Sequence, residues 1–236
     1  MLVSFVIPSH NCSEFLGAAV ESVRNQTHKE LEIIVINDAS TDSTEKYLKW
    51  LSKNEPRAKI ITNDSKQGRS RSRNIGMEFA VGSYIFVLDS DDISAPNRVE
   101  LTLPLFKRAD FVHGGAVGIS ELNEHLGAMI TEKFSLDRTK KDPLWQSFIV
   151  HSTVAYTREF AQKYPYLDGK PSELGIDDWD QQIRAALDGA KFDFTPNCLA
   201  YYRHRGSAIS NTRKPSDVMD AKRALFPQIF KESATV

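Results

Sequence analysis

Three carboxylates stand within four residues at Asp89-Ser90-Asp91-Asp92, directly after the apolar run Tyr84-Ile85-Phe86-Val87-Leu88. Carboxylates this close repel one another unless a positive charge sits among them. A hard divalent cation fits, because Mg²⁺ uses one or two carboxylates and completes its shell with substrate phosphates. A solvated acidic turn ahead of the helix that Pro96 opens also fits, since negative charge suits a helix N-terminus. A second acidic pair, Asp177-Asp178, opens the helical stretch 177–187, where one carboxylate is expected to cap the helix and the other to be free. Lys66, Arg69, Arg71 and Arg73 form a basic run suited to phosphates or an acidic acceptor, or to a solvated helix face.

These groups need elements that bring them to one place. Leu2 to Ile7, Leu31 to Ile36, Ala58 to Ile61 and Tyr84 to Leu88 are short apolar runs, as expected of strands buried on both faces. Between them Phe15, Leu16, Ala19, Val20 and Val23 stripe one helix, Tyr47, Leu48 and Leu51 a second, and Ile75, Phe79 and Ala80 a third. Repeated strand–helix units predict an α/β fold with a mostly parallel sheet flanked by helices. Ligands of such sheets bind beyond the carboxyl ends of the strands. There the four runs end in Pro8-Ser9-His10-Asn11, Asn37-Asp38-Ala39-Ser40, Asn63-Asp64 leading to Gly68, and Asp89 to Asp92. Each ending alone is ordinary turn chemistry. Four on one edge describe a site.

The second half is less regular. Phe111 to Val117 reads as a strand, 118–143 as a strand edge plus loop, and Thr153 to Tyr156, Lys191 to Phe194 and Leu199 to Tyr202 as short strands. Val218 to Phe230 reads as helical with a break at Pro227. The chain is thus expected to divide into residues 1–117, 118–214 and a C-terminal helix over 215–236, within one continuous domain.

Composition excludes several classes. Of 236 residues, 30 are Lys or Arg and 31 Asp or Glu, so the net charge of −1 lacks the basic excess of a general nucleic-acid binder. No apolar run approaches the ~20 residues that span a bilayer. The two cysteines, Cys12 and Cys198, are far apart with no CxxC, which gives neither a disulfide framework nor a zinc site. The opening Met1 to Phe5 has no basic n-region, so no signal peptide is expected and the location is read as cytoplasmic. Gly114-Gly115-Ala116-Val117-Gly118 lacks the spacing of a dinucleotide loop.

Taken in order, these segments resemble the inverting glycosyltransferases of family 2, with the GT-A fold, from Val3 to about Ser210. Val3 to Asn11 resembles the family's opening motif, Ile36 to Asp42 its second, Gly68 through Arg73-Asn74-Ile75-Gly76 its glycine-to-Arg-Asn segment, and Asp89-Ser90-Asp91 its DxD. Ile176-Asp177-Asp178-Trp179-Asp180 with Arg184 resembles the acceptor-side motif that holds the general base, and Tyr201 to Ser207 the late motif near the diphosphate. The chain departs from the family in carrying Arg69 and Arg71 where small residues are usual, and Asp177 where Glu is usual.

The resemblance implies transfer of a sugar from a nucleotide diphosphate, UDP first, to an acceptor hydroxyl with inversion, in polysaccharide or glycan assembly. It implies donor contacts at Pro8, Ser9, Asn11, Asn37, Asp38, Gly68, Arg73, Asn74, Asp89 and Ser90. Mn²⁺ or Mg²⁺ would be held by Asp91, with Asp89 and His204. Asp178, or else Asp177, would be the base, and Trp179 a wall or stacking surface for the acceptor. The acceptor would be a glycan, a lipid-linked or another hydroxyl compound, and the apolar stripe Val218, Ala221, Leu225 and Ile229 is read as core, or as a peripheral-membrane or homodimer contact. Two other readings are kept. Asp89 after a buried strand also resembles the nucleophile of haloacid-dehalogenase-type phosphatases, and the fold could serve as a silent sugar-binding domain.

Overall fold

The computed structural model describes residues 1–129, 132–141, 149–206 and 214–230. Ser207, the last residue of the late motif, and residues 142–143 of the expected loop lie outside them. Strands are β1 (Val3–Ser9), β2 (Leu31–Asn37), β3 (Ala58–Thr62), β4 (Tyr84–Val87), β5 (Ile93–Ser94), β6 (Phe111–Ile119), β7 (His125–Met129), β8 (Ala155–Thr157) and β9 (Phe192–Arg203). Helices are α1 (Leu16–Arg24), α2 (Thr44–Asn54), α3 (Arg69–Phe79), α4 (Arg98–Thr102), α5 (Leu136–Lys141), α6 (Arg158–Lys163), α7 (Lys170–Glu173), α8 (Asp177–Leu187), α9 (Pro215–Leu225) and α10 (Pro227–Phe230).

All nine strands form one sheet in the order β3-β2-β1-β4-β8-β6-β9-β5, with β7 on β6. The expected mostly parallel, GT-A-type sheet is corrected here: the sheet is mixed. β1 pairs in parallel with β2 and β4, β2 with β3, and β6 with β9. β4–β8, β6–β8, β6–β7 and β5–β9 are antiparallel. The cause is local. β8 enters between β4 and β6 from the 3₁₀ turn His151–Thr153 and runs against both. β7 returns on β6 through the short turn 120–124, too short for the crossover a parallel pair needs. A third device holds the junction: the guanidinium of Arg98, buried, donates from Nη2 to the carbonyls of Val87 (3.0 Å) and Val154 (2.8 Å), so it clamps β4 to the start of β8.

The first four strands alternate their side chains between two apolar layers. Phe5, Ile7, Ile33 and Val35 pack with Leu16, Val20 and Leu48 on one face; Val6, Ile34, Ile36 and Ile85 pack with Met77 on the other. The two short strands expected over 191–202 are one strand, β9, with a bulge at Pro196-Asn197 where Thr195 opposes Gly114 and Cys198 opposes Gly115. A Cβ on Gly115 would stand 2.8 Å from the Pro196 carbonyl, so the glycine pair accommodates the bulge. The C-terminal stripe is occupied within the chain: Val218, Ala221, Phe226 and Ile229 are buried in the same cluster as Trp179 and Ile183. No described helix is long and apolar enough to cross a membrane.

Candidate active site

The carboxyl ends of β1, β2, β4, β6 and β9 meet the amino end of β8 along one edge, as the pairing directions require. The turns after β1 and β2 brace each other there. Asp38 N–H donates to the Ser9 carbonyl (2.8 Å), Asn11 N–H to Ser40 Oγ (3.0 Å), and Thr41 N–H to Asn11 Oδ1 (2.8 Å). Asn37 Oδ1 accepts from Ser40 N–H at 3.1 Å. Asn11 and Ala39 adopt positive φ, 48° and 52°, to make this fit. The Asp38 carboxylate is buried and accepts from Asn63 Nδ2 (2.8 Å), Gln67 N–H (2.7 Å) and Gly68 N–H (2.8 Å). It therefore organises the 63–68 loop, with capacity for about one further donor. Gly68, at φ +87°, turns that loop into α3.

The acidic turn after β4 is held from the far half of the sheet. Ser152 Oγ accepts from Asp89 N–H at 3.1 Å and donates to Asp92 Oδ2, while Asp92 Oδ1 accepts from Arg203 N–H at 2.7 Å. Arg203 Nε donates to the Asp91 carbonyl (2.7 Å), and Arg205 Nη1 pairs with Asp91 Oδ2 at 3.0 Å. Both guanidinium groups lie over the Phe15 ring, at 4.7 and 4.9 Å. Burial, and then the charge of neighbouring carboxylates, pushes Asp91 up and Asp92 well up. Burial opposes the Asp89 charge too, but Arg73 and His151 more than offset it and hold that carboxyl below its usual range. His204 is exposed, with its ring over Gly118 and edge-on to Tyr202 at 5.2 Å.

One guanidinium ties this turn to the second acidic pair. Arg73, buried on α3, places Nη2 2.7 Å from Asp89 Oδ1 and Nη1 2.8 Å from Asp177 Oδ2. Asp177 also accepts from Arg69 Nη2 (2.7 Å) and Ser70 Oγ (3.0 Å), and is almost fully buried. Asp178 beside it is 30% exposed at the side chain; its Oδ1 accepts from Trp179 N–H at 2.8 Å and its Oδ2 lies 4.0 Å from His151 Nδ1. The two adjacent carboxylates thus have opposite environments. Asn74 makes a reciprocal pair with the backbone of Tyr166, donating at 2.8 Å and accepting at 2.9 Å. Trp179 is buried between the Phe226 ring (5.5 Å) and Lys222 Nζ (4.3 Å).

Of the basic run, Lys66 and Arg71 are solvated, Arg71 with Glu78 at 3.8 Å, whereas Arg69 is half-buried and held by Asp177. Sequence reasoning missed His151, Ser152 and Tyr166 as site residues, and had Arg203 and Arg205 only as members of the late motif near the diphosphate. Ser152 and His151 sit in no motif, and only the placement of β8 brings them to the edge. Arg203 and Arg205 carried a signal: two cations close a strand whose far neighbour is an uncompensated acidic turn.

The donor set suits a divalent ion bound together with a diphosphate. Asp91 is raised by burial first and then by the Asp89 charge beside it, and a cation at this turn would oppose both. Among the described residues no group of three or more His, Cys, Asp or Glu side chains forms a protein-only metal cage. A Mg²⁺-type ion needs none where phosphates supply ligands.

Comparison with known proteins shows the family. A family model described as "Glycosyl transferase family 2" matches residues 4–164. A glycosyltransferase of Methanocaldococcus jannaschii is 30% identical over 220 residues, covering 90% of this chain and 75% of that protein. A Haemophilus influenzae glycosyltransferase is 32% identical over 155 residues, 66% of this chain; the match takes in about half (48%) of that relative's length. The crystal structure of Staphylococcus aureus TarS 1-349 in complex with UDP-GlcNAc superposes with a TM-score of 0.74 at 15% identity, covering 98% of this chain and 71% of that one.

Proposed function

The chain belongs to glycosyl transferase family 2, and from that premise we propose that it transfers a sugar from a UDP-sugar to an acceptor hydroxyl, with inversion and with divalent-cation dependence. The observation that carries the reading is Arg73, which places the start of α8 and the acidic turn after β4 on one guanidinium. A proton acceptor on α8 then lies beside a diphosphate at the turn. Family membership removes the phosphatase reading of Asp89.

Asp38 has capacity to accept from the imide N–H of a uracil. Pro8, Ser9, Asn11 and Asn37 would form the wall beside it, and Ser90 and Asp89 would take the ribose hydroxyls. Asp91, with Asp89, would hold the cation; His204 does not complete a three-ligand group with them among the described residues. The cation would neutralise charge developing on the departing diphosphate. Arg205 carries further positive charge to that turn. Asp178 is the base: Asp177 is committed to three donors, whereas Asp178 is open to solvent. Its carboxylate takes the acceptor proton as the hydroxyl oxygen attacks the anomeric carbon and the bond to the diphosphate breaks on the opposite face. The inward ring of Trp179 supports a role as the floor beneath Asp178. A soluble, glycan-type or lipid-linked acceptor is compatible with this edge.

Asp178→Asn keeps the shape and removes the proton acceptor, so turnover falls by roughly 10²–10⁴, while UDP binding measured by calorimetry is unchanged. An active Asp178→Asn with a dead Asp177→Asn reverses the two roles. A screen of UDP-sugars reading released UDP, with Mn²⁺ or with a chelator, tests donor and metal together. Equal rates in both arms remove the cation from the mechanism, and binding of UDP without turnover of any sugar supports the silent domain instead.

A further inference from the structure

His151 stands behind Asp178, unassigned by the reading above. It is buried, 8% exposed, on the turn leading into β8. Its ring nitrogens face different partners. Nε2 is 3.0 Å from the Tyr166 hydroxyl, which is 3.2 Å from that of Tyr156. Nδ1 is buried without a hydrogen-bond partner among the described residues and lies 4.0 Å from Asp178 Oδ2.

A neutral imidazole carries one N–H, and a tyrosine hydroxyl can donate or accept. With the proton on Nε2, the bare Nδ1 lone pair would point at a carboxylate. With the proton on Nδ1, Tyr166 donates to Nε2 and the N–H faces Asp178. Tyr156 can feed that chain by donating to Tyr166. The competing acceptor for its proton, Met77 Sδ at 3.1 Å, is a weak one. The charged groups around the ring are Arg73 on α3, Asp89 after β4, and Asp177 and Asp178 on α8; burial first, and then Arg73, lowers the imidazole's pKa and favours the neutral form. The relay is anchored: Asn74 grips the Tyr166 backbone, and Arg73 lies over the Tyr166 ring at 5.4 Å.

We propose that His151 is a positioning residue for Asp178, with Tyr166 fixing the Nδ1–H tautomer so that this N–H orients the carboxylate toward the acceptor hydroxyl. This rests on the reading of Asp178 as base. At 4.0 Å the contact is longer than a hydrogen bond; such contacts tighten when substrate binds. The arrangement also gives Asn74 a purpose apart from the donor, as the anchor of Tyr166.

The direct test is the tautomer, read by long-range ¹H–¹⁵N spectra of histidine-labelled protein with His151 assigned through His151→Asn. The neutral Nδ1–H form is expected, and Tyr166→Phe should shift population to Nε2–H. A wild-type protein with Nε2–H dominant overturns the inference. Kinetics with the donor and acceptor found by the screen give the second arm. Asn presents its amide near the Nδ1 position and Gln near Nε2. His151→Gln and Tyr166→Phe should therefore lose roughly 10²-fold in kcat, the cost of misplacing a reacting group by about an ångström. The donor KM should stay put, and His151→Asn should recover most of the loss in kcat. Equal losses in the Asn and Gln variants, or losses confined to KM, overturn it. A dead Asp178→Asn with His151 variants at full rate defeats this inference alone, whereas an active Asp178→Asn defeats the base assignment and the inference with it.

Discussion

The strands β3, β2, β1 and β4 and the strands β8, β6, β9 and β5 belong to one sheet yet are built by different means. In the first group the interior is apolar and polar residues gather at the carboxyl ends, where Asn37, Asp38 and Asp89 stand. In the second group polar residues go inside: His113, Ser152, Thr153, Asp193, Thr195 and Arg203 are all buried. A strand buried among apolar neighbours needs only its ladder. A strand held by Ser152, Arg98 and Arg203 depends on particular partners, and those partners lie in the first group: Asp89, Asp92 and Val87. The site forms along this dependence, so its geometry is set by polar ties more than by packing.

The largest expected effect comes from cutting the tie between the turn after β4 and the start of α8. Arg73→Ala leaves Asp177 and Asp89 without their common guanidinium in a buried place, which costs about 3–5 kcal/mol when one partner of a buried pair is removed. Urea denaturation should show the midpoint drop with little change in slope. Arg73→Lys should recover less than half, because one ammonium replaces a fork that reaches two carboxylates at 2.7 and 2.8 Å. A wild-type midpoint in Arg73→Ala would mean that this guanidinium does not hold the start of α8 to the turn after β4.

A smaller loss is expected from packing on the apolar side. A Cβ on Gly76 would stand 2.5 Å from Val6 Cγ1 and 2.6 Å from Ile36 Cδ1, because α3 lies directly on β1 and β2. Val6 is β-branched on a central strand and cannot rotate away. Gly76→Ala should cost about 1–3 kcal/mol for overpacking, partly offset by about 1 kcal/mol of helix propensity. A stabilised variant in thermal melts would show that the first group packs more loosely than its burial suggests.

The same contrast explains what the sequence discloses. The expected runs Leu31 to Ile36 and Ala58 to Ile61 differ from β2 and β3 by a single residue at one end, because an apolar run between polar turns is a local signal. The candidate residues Asp38, Arg73, Asp89 and Asp178 reach the same edge because they follow such runs or open a helix. The mixed sheet is not a local property. Nothing in Ala155-Tyr156-Thr157 says that it will enter between β4 and β6, and that insertion reverses the strand direction there and brings His151 and Ser152 to the edge. The bulge in β9 hides a twelve-residue strand as two short ones, since Pro196 and Asn197 read as a break. Asp177 and Asp178 are equivalent in sequence, and only the reach of Arg69, Ser70 and Arg73 from α3 makes them different.

The mildest expected effect concerns pH and lies wholly within the first group of strands. Glu55, at the end of α2, is held by Arg57, which lowers its pKa; burial opposes this, and Arg24 adds to the lowering, leaving the carboxyl at about 2 against an ordinary 4.5. A depressed carboxyl contributes stability that is present above its unfolded value and is lost as pH falls through its folded value. The Glu55 contribution is therefore full above about pH 4.5 and disappears toward pH 2. Arg24 and Arg57 are 26% and 29% exposed, so solvent reaches the pairs and the effect should be about 1 kcal/mol rather than the whole of the shift. Glu55→Gln should flatten the acid limb of the stability curve between those pH values and leave the neutral-pH site untouched, since Glu55 lies at the opposite end of α2 from the edge where Asp38 stands. Urea melts at a series of pH values would read this. An unflattened limb would assign the acid loss to other depressed carboxyls, among them Asp42 ahead of α2 and Asp193 beside Arg108.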